Sequence, residues 1–591
     1  MNNNFGDLAS FMGTGIFSYL DPEPNSPDMS RLLAIAKRYP QHFRVLERIP
    51  GSDRYLTILQ SSDYAVATLA EKRGPDSVVV ATLVKERLTT WAAVDWLSNM
   101  LTQKLGRKIW PEQIRHSGLK DRWAETAQSI AIVGVTVDEL RRIQWPYNQG
   151  KTGFFLKDIR WHDARKRLHT VADERRNRAG MEVTANVTDA GYKAMGISAR
   201  SLAMAIADHL SKEFGRKVDA NIKERKEAAV QIFIWGVTVS ELMAAKLPAG
   251  LAKFENIRIN RTNTISKGDH KNNRFELKII VKDHDKTTVE NYLAPRIEVL
   301  QRRGNYIPNA YNLQRLAARQ KGHLDGYTLI TGDYPAPKGV HAFASASEAA
   351  IYRFLFETTG RENPAAEQLR RDIEKCWLYD FGGMKQKLEK SYRQLNLSVE
   401  FKIAERLIDN DRYPGFEAVV ESMSEECSLW IAAWQSYWWN QVLARKLPHW
   451  VKLMDESGGD FNPADKGIPL LMETAESRRY YERLPYCKDA LAHLKKADPF
   501  VRKEFLTPRG NNPWRKAFIK VDGLAYSVET EMVDGVEQTV VNTQFNLSSG
   551  AYATTLLGFL FELEEPNKGS VRALANAAEV SEAPDLNEET E

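Results

Sequence analysis

An eleven-residue stretch occurs twice in this chain, as IAIVGVTVDEL at residues 130–140 and as IFIWGVTVSEL at residues 232–242, with eight of the eleven places identical. Each copy reads as an alternating, amphipathic strand belonging to a strand–helix unit. Upstream of each lies Gly-Arg-Lys, at residues 106–108 and 215–217, and LKDR (119–122) is echoed by IKER (222–225). A strand–helix unit that recurs with its upstream signal restricts the fold to one in which a duplicated unit stands beside its parent. Convergent patterning of two amphipathic strands is the alternative, although patterning constrains polarity and not residue identity. The second copy lacks the glycine of GLKDR and has Glu224 where Asp121 would fall, so it is expected to be scaffold.

At 591 residues the chain exceeds what one core supports, which predicts two or more domains. Its 43% apolar and 27% charged residues are ordinary for a globular protein. Cys376, Cys427 and Cys487 are too few and too far apart for a disulfide framework or a cysteine zinc site, so a reducing, cytoplasmic setting is expected. The N-terminus lacks the basic-then-apolar order of a signal peptide, and no run approaches the roughly 18 apolar residues of a membrane span. The net charge is +5, but residues 573–591 hold six acids and no Lys or Arg, leaving +11 for the rest. That surplus suits a polyanionic partner, though it also occurs in enzymes that never touch one.

Along the chain, residues 43–60 read as two short strands around a Pro-Gly-Ser-Asp turn, and VVVATLVKE as a third. Val94, Leu97 and Leu101 then recur at helical spacing after a Thr cap, with Gly106 where the helix should stop. Residues 157–178 concentrate cations on an expected helix, either as a solvated face or as an RNA contact. Arg258, Arg261, Lys267, Lys271 and Arg274 form a second basic segment leading into an alternating strand. Beyond residue 334 aromatic-rich helical segments follow, among them SLWIAAWQSYWWNQVLARKL, before strands return near residue 515. A helical block between strand-rich ones predicts one domain inserted into another, and the acidic tail is expected to be disordered.

No P-loop, zincin, serine-hydrolase or paired C-x-x-C signature occurs. What stands out is SGLKDRWAETAQ, with Asp121 between Lys120 and Arg122. Alone, that triplet also fits a solvated turn. Gly118, Lys120, Asp121 and Arg122, followed by Ala124, Thr126 and Gln128, nevertheless match the signature around the catalytic aspartate of the TruD family of tRNA pseudouridine synthases, which this chain resembles. Further segments are similar to that family in the same order: KRYPQHFRVLE with Lys37, Pro40, Phe43 and Glu47, then HKNNRFELKI, YIPNAYNLQRL, QSYWWNQVLARKL and FNLSSGAYATTLL. They span residues 37 to about 563. The chain departs from the family at Asn272, at Ala310 to Leu313 and at Gly558-Phe559.

The resemblance implies an α+β fold: a mixed, largely antiparallel sheet of the pseudouridine synthase type, flanked by helices, in a discontinuous catalytic domain. Its N-terminal part would cover residues 1–334, with a duplication-like insertion at about 150–250. The TruD-specific α+β domain would cover 335–512, the closing catalytic segment 513–565 and the acidic tail 566–591, and a basic cleft between the domains would admit folded RNA. The implied activity is isomerisation of a uridine in RNA, with tRNA and its position thirteen as the expected target. Asp121 would be catalytic, with Lys37, Phe43, Asn309, Tyr311, Arg315, Lys120 and Arg122 binding the substrate. Phe43 and Tyr311 would stack on the base, Asn309 would hydrogen-bond it, and Lys37 would lie near Asp121 or a phosphate. The isomerisation involves no redox change, so no cofactor, metal or obligatory protein partner is expected. A neighbouring cation would keep Asp121 ionised, with Arg122 the adjacent candidate and Arg315 a distant one. Trp438 and Trp439 are expected in a core. A non-catalytic RNA-binding protein or RNA chaperone on the same scaffold is the competing reading, and retention of the whole aspartate segment argues against it.

Overall fold

A computed structural model of the chain describes residues 16–22, 31–49, 53–58, 78–162, 181–188, 199–237, 242–245, 254–261, 272–316, 321–358, 362–408, 415–456, 461–507 and 513–564, apart from gaps of one to three residues within these ranges. The acidic tail, Lys267, Lys271 and most of the basic segment 157–178 lie outside the described residues. The chain divides into two compact units. A sheet unit comprises residues 34–289 and 521–550, and a helical unit comprises 1–33, 290–520 and 551–591.

In chain order the strands begin with β1 (Leu33–Ile35), β2 (Phe43–Glu47), β3 (Val78–Glu86), β4 (Ile114–His116), β5 (Glu125–Val133) and β6 (Gly153–His162). Next come β7 (Met181–Thr188), β8 (Asp219–Arg225), β9 (Ala229–Val237), β10 (Phe254–Arg261) and β11 (Asn272–Val281). Strands β12 (Tyr306–Pro308), β13 (Gly467–Pro469), β14 (Trp514–Lys516) and β15 (Phe518–Lys520) belong to the helical unit. The sheet unit is completed by β16 (Asp522–Val533) and β17 (Val536–Ser548).

The main sheet has the order β16-β17-β11-β2-β5-β3-β6, with β4 on β5 and β1 on β11. Its pairings are antiparallel except for β2 with β5, so the sheet is mixed, as expected. Every residue of β3 and β5 is buried. The cause is cover on both faces. One face packs Val79, Ala81, Leu83, Ile130 and Ile132 against Val94, Leu97 and Leu101 of the helix Thr90–Leu105. The other packs Val84 and Ala127 against Leu46, Leu56 and Phe155. Strands covered on both sides read as near-continuous apolar runs, which VVVATLV and SIAIV are. The helix begins at the Thr89 cap, whose hydroxyl accepts from the Ala92 amide at 3.0 Å, and ends at Gly106 in the left-handed region, φ 63°.

Two local expectations differ. The second strand of residues 43–60 reduces to an isolated bridge between Arg48 and Tyr55, with Leu56 donating back to Glu47 at 2.8 Å. The start of the expected basic helix at 157 is strand instead, because β6 pairs along the free edge of β3 through His162. Edge pairing of a backbone that would otherwise be buried unsatisfied outweighs a weak helical period.

A second, four-stranded antiparallel sheet has the order β10-β7-β9-β8. The repeated stretch falls on β5 and β9, each nine residues long. Glu224 sits inside β8, opposite Gln231, and not in a loop.

The helical unit is built around the helix Ser424–Glu456, whose Trp434 and Trp439 are fully buried and whose Trp438 is 5% exposed. Trp439 donates its indole N–H to the Ile468 carbonyl of β13 at 3.0 Å. The helix Gly322–Thr331 approaches so closely at Gly326 that an added Cβ would lie 2.2 Å from the Trp430 carbonyl oxygen, which only glycine permits. Among the described residues no helix is long and apolar enough to cross a membrane.

Candidate active site

In the sheet unit, β4 ends at His116 and β5 begins at Glu125, and Asp121 lies on the loop between them. Three anchors hold this loop. Lys120 donates its amide to the Thr90 hydroxyl at 2.9 Å. Lys85, fully buried at the end of β3, donates its ammonium to the Asp121 carbonyl at 2.9 Å and to the Leu88 carbonyl at 2.7 Å. The Lys120 ammonium reaches inward to Glu47 at 2.5 Å and to the Asn273 side chain at 3.2 Å. Glu47 also accepts from the Ser117 hydroxyl at 2.5 Å and from the Ser129 amide at 2.9 Å. The loop backbone is thereby tied at the Lys120 amide and at the Asp121 carbonyl.

The Asp121 side chain is 15% exposed. One carboxylate oxygen pairs with the Lys37 ammonium, and the other accepts from the Trp123 amide at 3.0 Å. Burial alone would push this carboxyl up. The Lys37 charge and hydrogen bond, the Trp123 amide and the Lys85 charge outweigh it and hold the group below the usual aspartate value, so it is ionised at neutral pH. Burial pushes the Lys85 ammonium down to about 7 against the opposing pull of Asp121.

The expected residues of this unit sit as follows. Lys37 is at Asp121, with its ammonium 4.3 Å from the centre of the Phe43 ring. Phe43 is 3% exposed and meets Phe275 edge-on at 6.3 Å. Lys120 is turned into the sheet and committed to Glu47 and Asn273. The Arg122 guanidinium lies 5.4 Å from the centre of the Trp123 ring. The cations that lower Asp121 are thus Lys37 and Lys85.

Asn309, Tyr311 and Arg315 belong to the helical unit and cluster there around Arg515. Arg515 donates to the Asn309 side-chain oxygen at 2.7 Å and to its carbonyl at 3.1 Å. Its guanidinium stacks 4.0 Å from the centre of Tyr311 and 5.3 Å from that of Trp439. Asn440 accepts from the Tyr311 amide and donates to the Tyr311 carbonyl, both at 2.9 Å, as a side chain closing a two-bond ladder with backbone. Arg315 lies 5.5 Å from the Tyr311 ring centre and 3.4 Å from the Ser436 hydroxyl. Lys85, Arg515 and Asn440 were not singled out by sequence. Only Asn440 carried a signal, as the last residue of the QSYWWN segment.

The family model for tRNA pseudouridine synthase D (TruD) matches residues 193–474. That match begins beyond Lys37, Phe43 and Asp121. No curated protein matches the chain. Among solved structures, that of a candidate tRNA pseudouridine synthase D (TruD) from Methanosarcina mazei is 15% identical with a TM-score of 0.42, and the alignment covers 90% of this chain and 94% of that one. Over residues 193–474, just under half of its length, the chain is similar to the TruD family of tRNA pseudouridine synthases, and that match supports an isomerase.

Proposed function

We propose that this chain converts one specific uridine of tRNA, the one at position thirteen, to pseudouridine, with Asp121 as the reacting carboxylate. The Lys37–Asp121 pair carries the reading: a mostly buried carboxylate, kept charged by an adjacent ammonium, on a loop whose backbone is tied at the Lys120 amide and at the Asp121 carbonyl. In the reaction the bond between N1 of uracil and C1′ of ribose breaks and one between C5 and C1′ forms. A proton leaves C5 and one is gained at N1, so atoms and electrons balance within the substrate. An ionised carboxylate suits such chemistry as nucleophile or base.

A uridine must leave its stack to react, at a few kcal/mol. Stacking on aromatic side chains returns ~1–3 kcal/mol per base. Phe43 and Tyr311 are the stacking candidates, each ring already facing a cation. Asn309, presented by Arg515, is the hydrogen-bonding candidate, and Arg122 and Arg315 are candidates for phosphate. Lys120 acts from inside the sheet, by fixing the loop. Pseudouridine mapping in RNA from cells lacking the protein tests the reading. Wild type should restore a lost site and Asp121→Ala should not. Equal restoration by both would remove Asp121 from the chemistry, and no change at any site would favour RNA binding without catalysis.

A further inference from the structure

The repeat extends well beyond eleven residues. Strands β4-β5-β3-β6 and β8-β9-β7-β10 follow the same spatial order with the same antiparallel pairings. In both, a 16-residue helix joins the third-listed strand to the first in the chain: Thr90–Leu105 between β3 and β4, and Ala199–Phe214 between β7 and β8. Both helices are followed by a glycine in the left-handed region, Gly106 at φ 63° and Gly215 at φ 61°. Four residues before each glycine a hydroxyl makes the same three bonds. Thr102 donates to the carbonyls of Ser98 at 2.9 Å and Ile109 at 3.2 Å, and accepts from the Ile109 amide at 3.0 Å. Ser211 donates to those of Ala207 at 2.6 Å and Val218 at 3.2 Å, and accepts from the Val218 amide at 2.9 Å. Buried Val94, Leu97 and Leu101 correspond to buried Ala203, Ile206 and Leu210.

The copies differ where the reactive loop emerges. Eight residues, 117–124, join β4 to β5, whereas three, 226–228, join β8 to β9. The second copy is therefore a natural version of the same half-sheet without the Asp121 loop. Comparing the two separates residues that the fold needs from residues that the loop needs.

Thr90 opens the first helix, and Ala199 opens the second. Gln128 stands two residues before Ile130 on β5, and Val230 two before Ile232 on β9. The half-sheet thus folds with small apolar residues at both places. In the first copy Thr90 and Gln128 are buried. Burying polar groups is unfavourable unless they are bonded. Thr90 donates to the Gln128 side-chain oxygen at 3.1 Å while accepting from the Lys120 amide at 2.9 Å, and the Gln128 amide lies 3.5 Å from the Gly118 carbonyl oxygen. The pair spans helix, central strand and loop on both sides of Leu119.

We infer that Thr90 and Gln128 are positioning residues for Asp121, present to hold its loop and not to build the sheet. The inference rests on Asp121 being the reacting group. The test compares Thr90→Val, Thr90→Ser, the double variant Thr90→Ala with Gln128→Val, which writes the second copy's residues into the first, and Asp121→Asn. Each is assayed in the full chain by single-site pseudouridine formation on tRNA, by tRNA binding and by thermal melting. Thr90→Val keeps shape without the hydroxyl, so it stays informative if the double variant does not fold. The expected result is a fall in kcat of about tenfold to 100-fold for Thr90→Val and the double variant, the scale of a small misplacement of a reacting group. KM and tRNA affinity stay near wild type, the melting temperature changes little, and Thr90→Ser restores turnover. Wild-type kcat in folded Thr90→Val with Asp121→Asn inactive would overturn the positioning role alone. An active Asp121→Asn would overturn the reading beneath it.

Discussion

Replacing Lys85 by methionine separates the holding of the loop from the stability of the sheet. Lys85 is fully buried and bonded to the carbonyls of Asp121 and Leu88, and burial lowers its pKa from 10.5 to about 7. Between these values the unfolded chain binds a proton that the folded chain has released, so stability rises with pH. The slope approaches about 1.4 kcal/mol per pH unit once the folded-state ammonium is mostly neutral. Half of it is protonated near pH 7, and integrating from there to pH 9 gives a gain of about 2 kcal/mol in the wild type. Lys85→Met has no group to titrate, so its stability relative to wild type is greatest at pH 6 to 7 and falls by about 2 kcal/mol towards pH 9. At pH 6 the methionine removes the burial of a charge but leaves the Leu88 and Asp121 carbonyls without their donor, so these two effects oppose each other and the pH dependence of the difference is the diagnostic quantity. The variant's turnover falls, because the Asp121 carbonyl loses its anchor. Urea unfolding of both proteins at pH 6, 7, 8 and 9, beside single-turnover assays, reads both effects. A stability difference that is flat over this range would refute the assigned titration. Undiminished turnover would refute the anchor.

Two further substitutions test the two clusters. Lys37→Met leaves burial of Asp121 less opposed, so the carboxyl titrates at higher pH and the acid limb of the rate profile moves to higher pH; an unmoved limb with reduced rate would assign Lys37 to the substrate alone. Asn440→Ala strands the buried amide and carbonyl of Tyr311 and should destabilise the chain by about 3 kcal/mol in urea unfolding, with a loss below about 0.5 kcal/mol showing that the backbone finds other partners.

Local chemistry made part of this protein legible from sequence. The run VVVATLV, the cap at Thr89, the spacing of Val94, Leu97 and Leu101 and the stop at Gly106 all specify backbone conformation within a few residues, and the structure follows them. The aspartate segment was legible by resemblance, and the second copy by eight identities in an eleven-residue stretch. What sequence did not show depends on partners far along the chain. Lys120 and Arg122 flank Asp121 in sequence, but the turn of the loop sends Lys120 inward to Glu47 and Asn273, and the Asp121 carboxylate meets Lys37, 84 residues earlier. Asn309 is organised by Arg515, 206 residues later. The residues at 157–162 had cations at a helical spacing, yet the free edge of β3 took them as strand. Side-chain type and short-range period belong to the sequence itself. Which cation keeps Asp121 charged and which lysine is committed to the sheet follow from burial and from contacts between distant segments, and only the tertiary structure decided them.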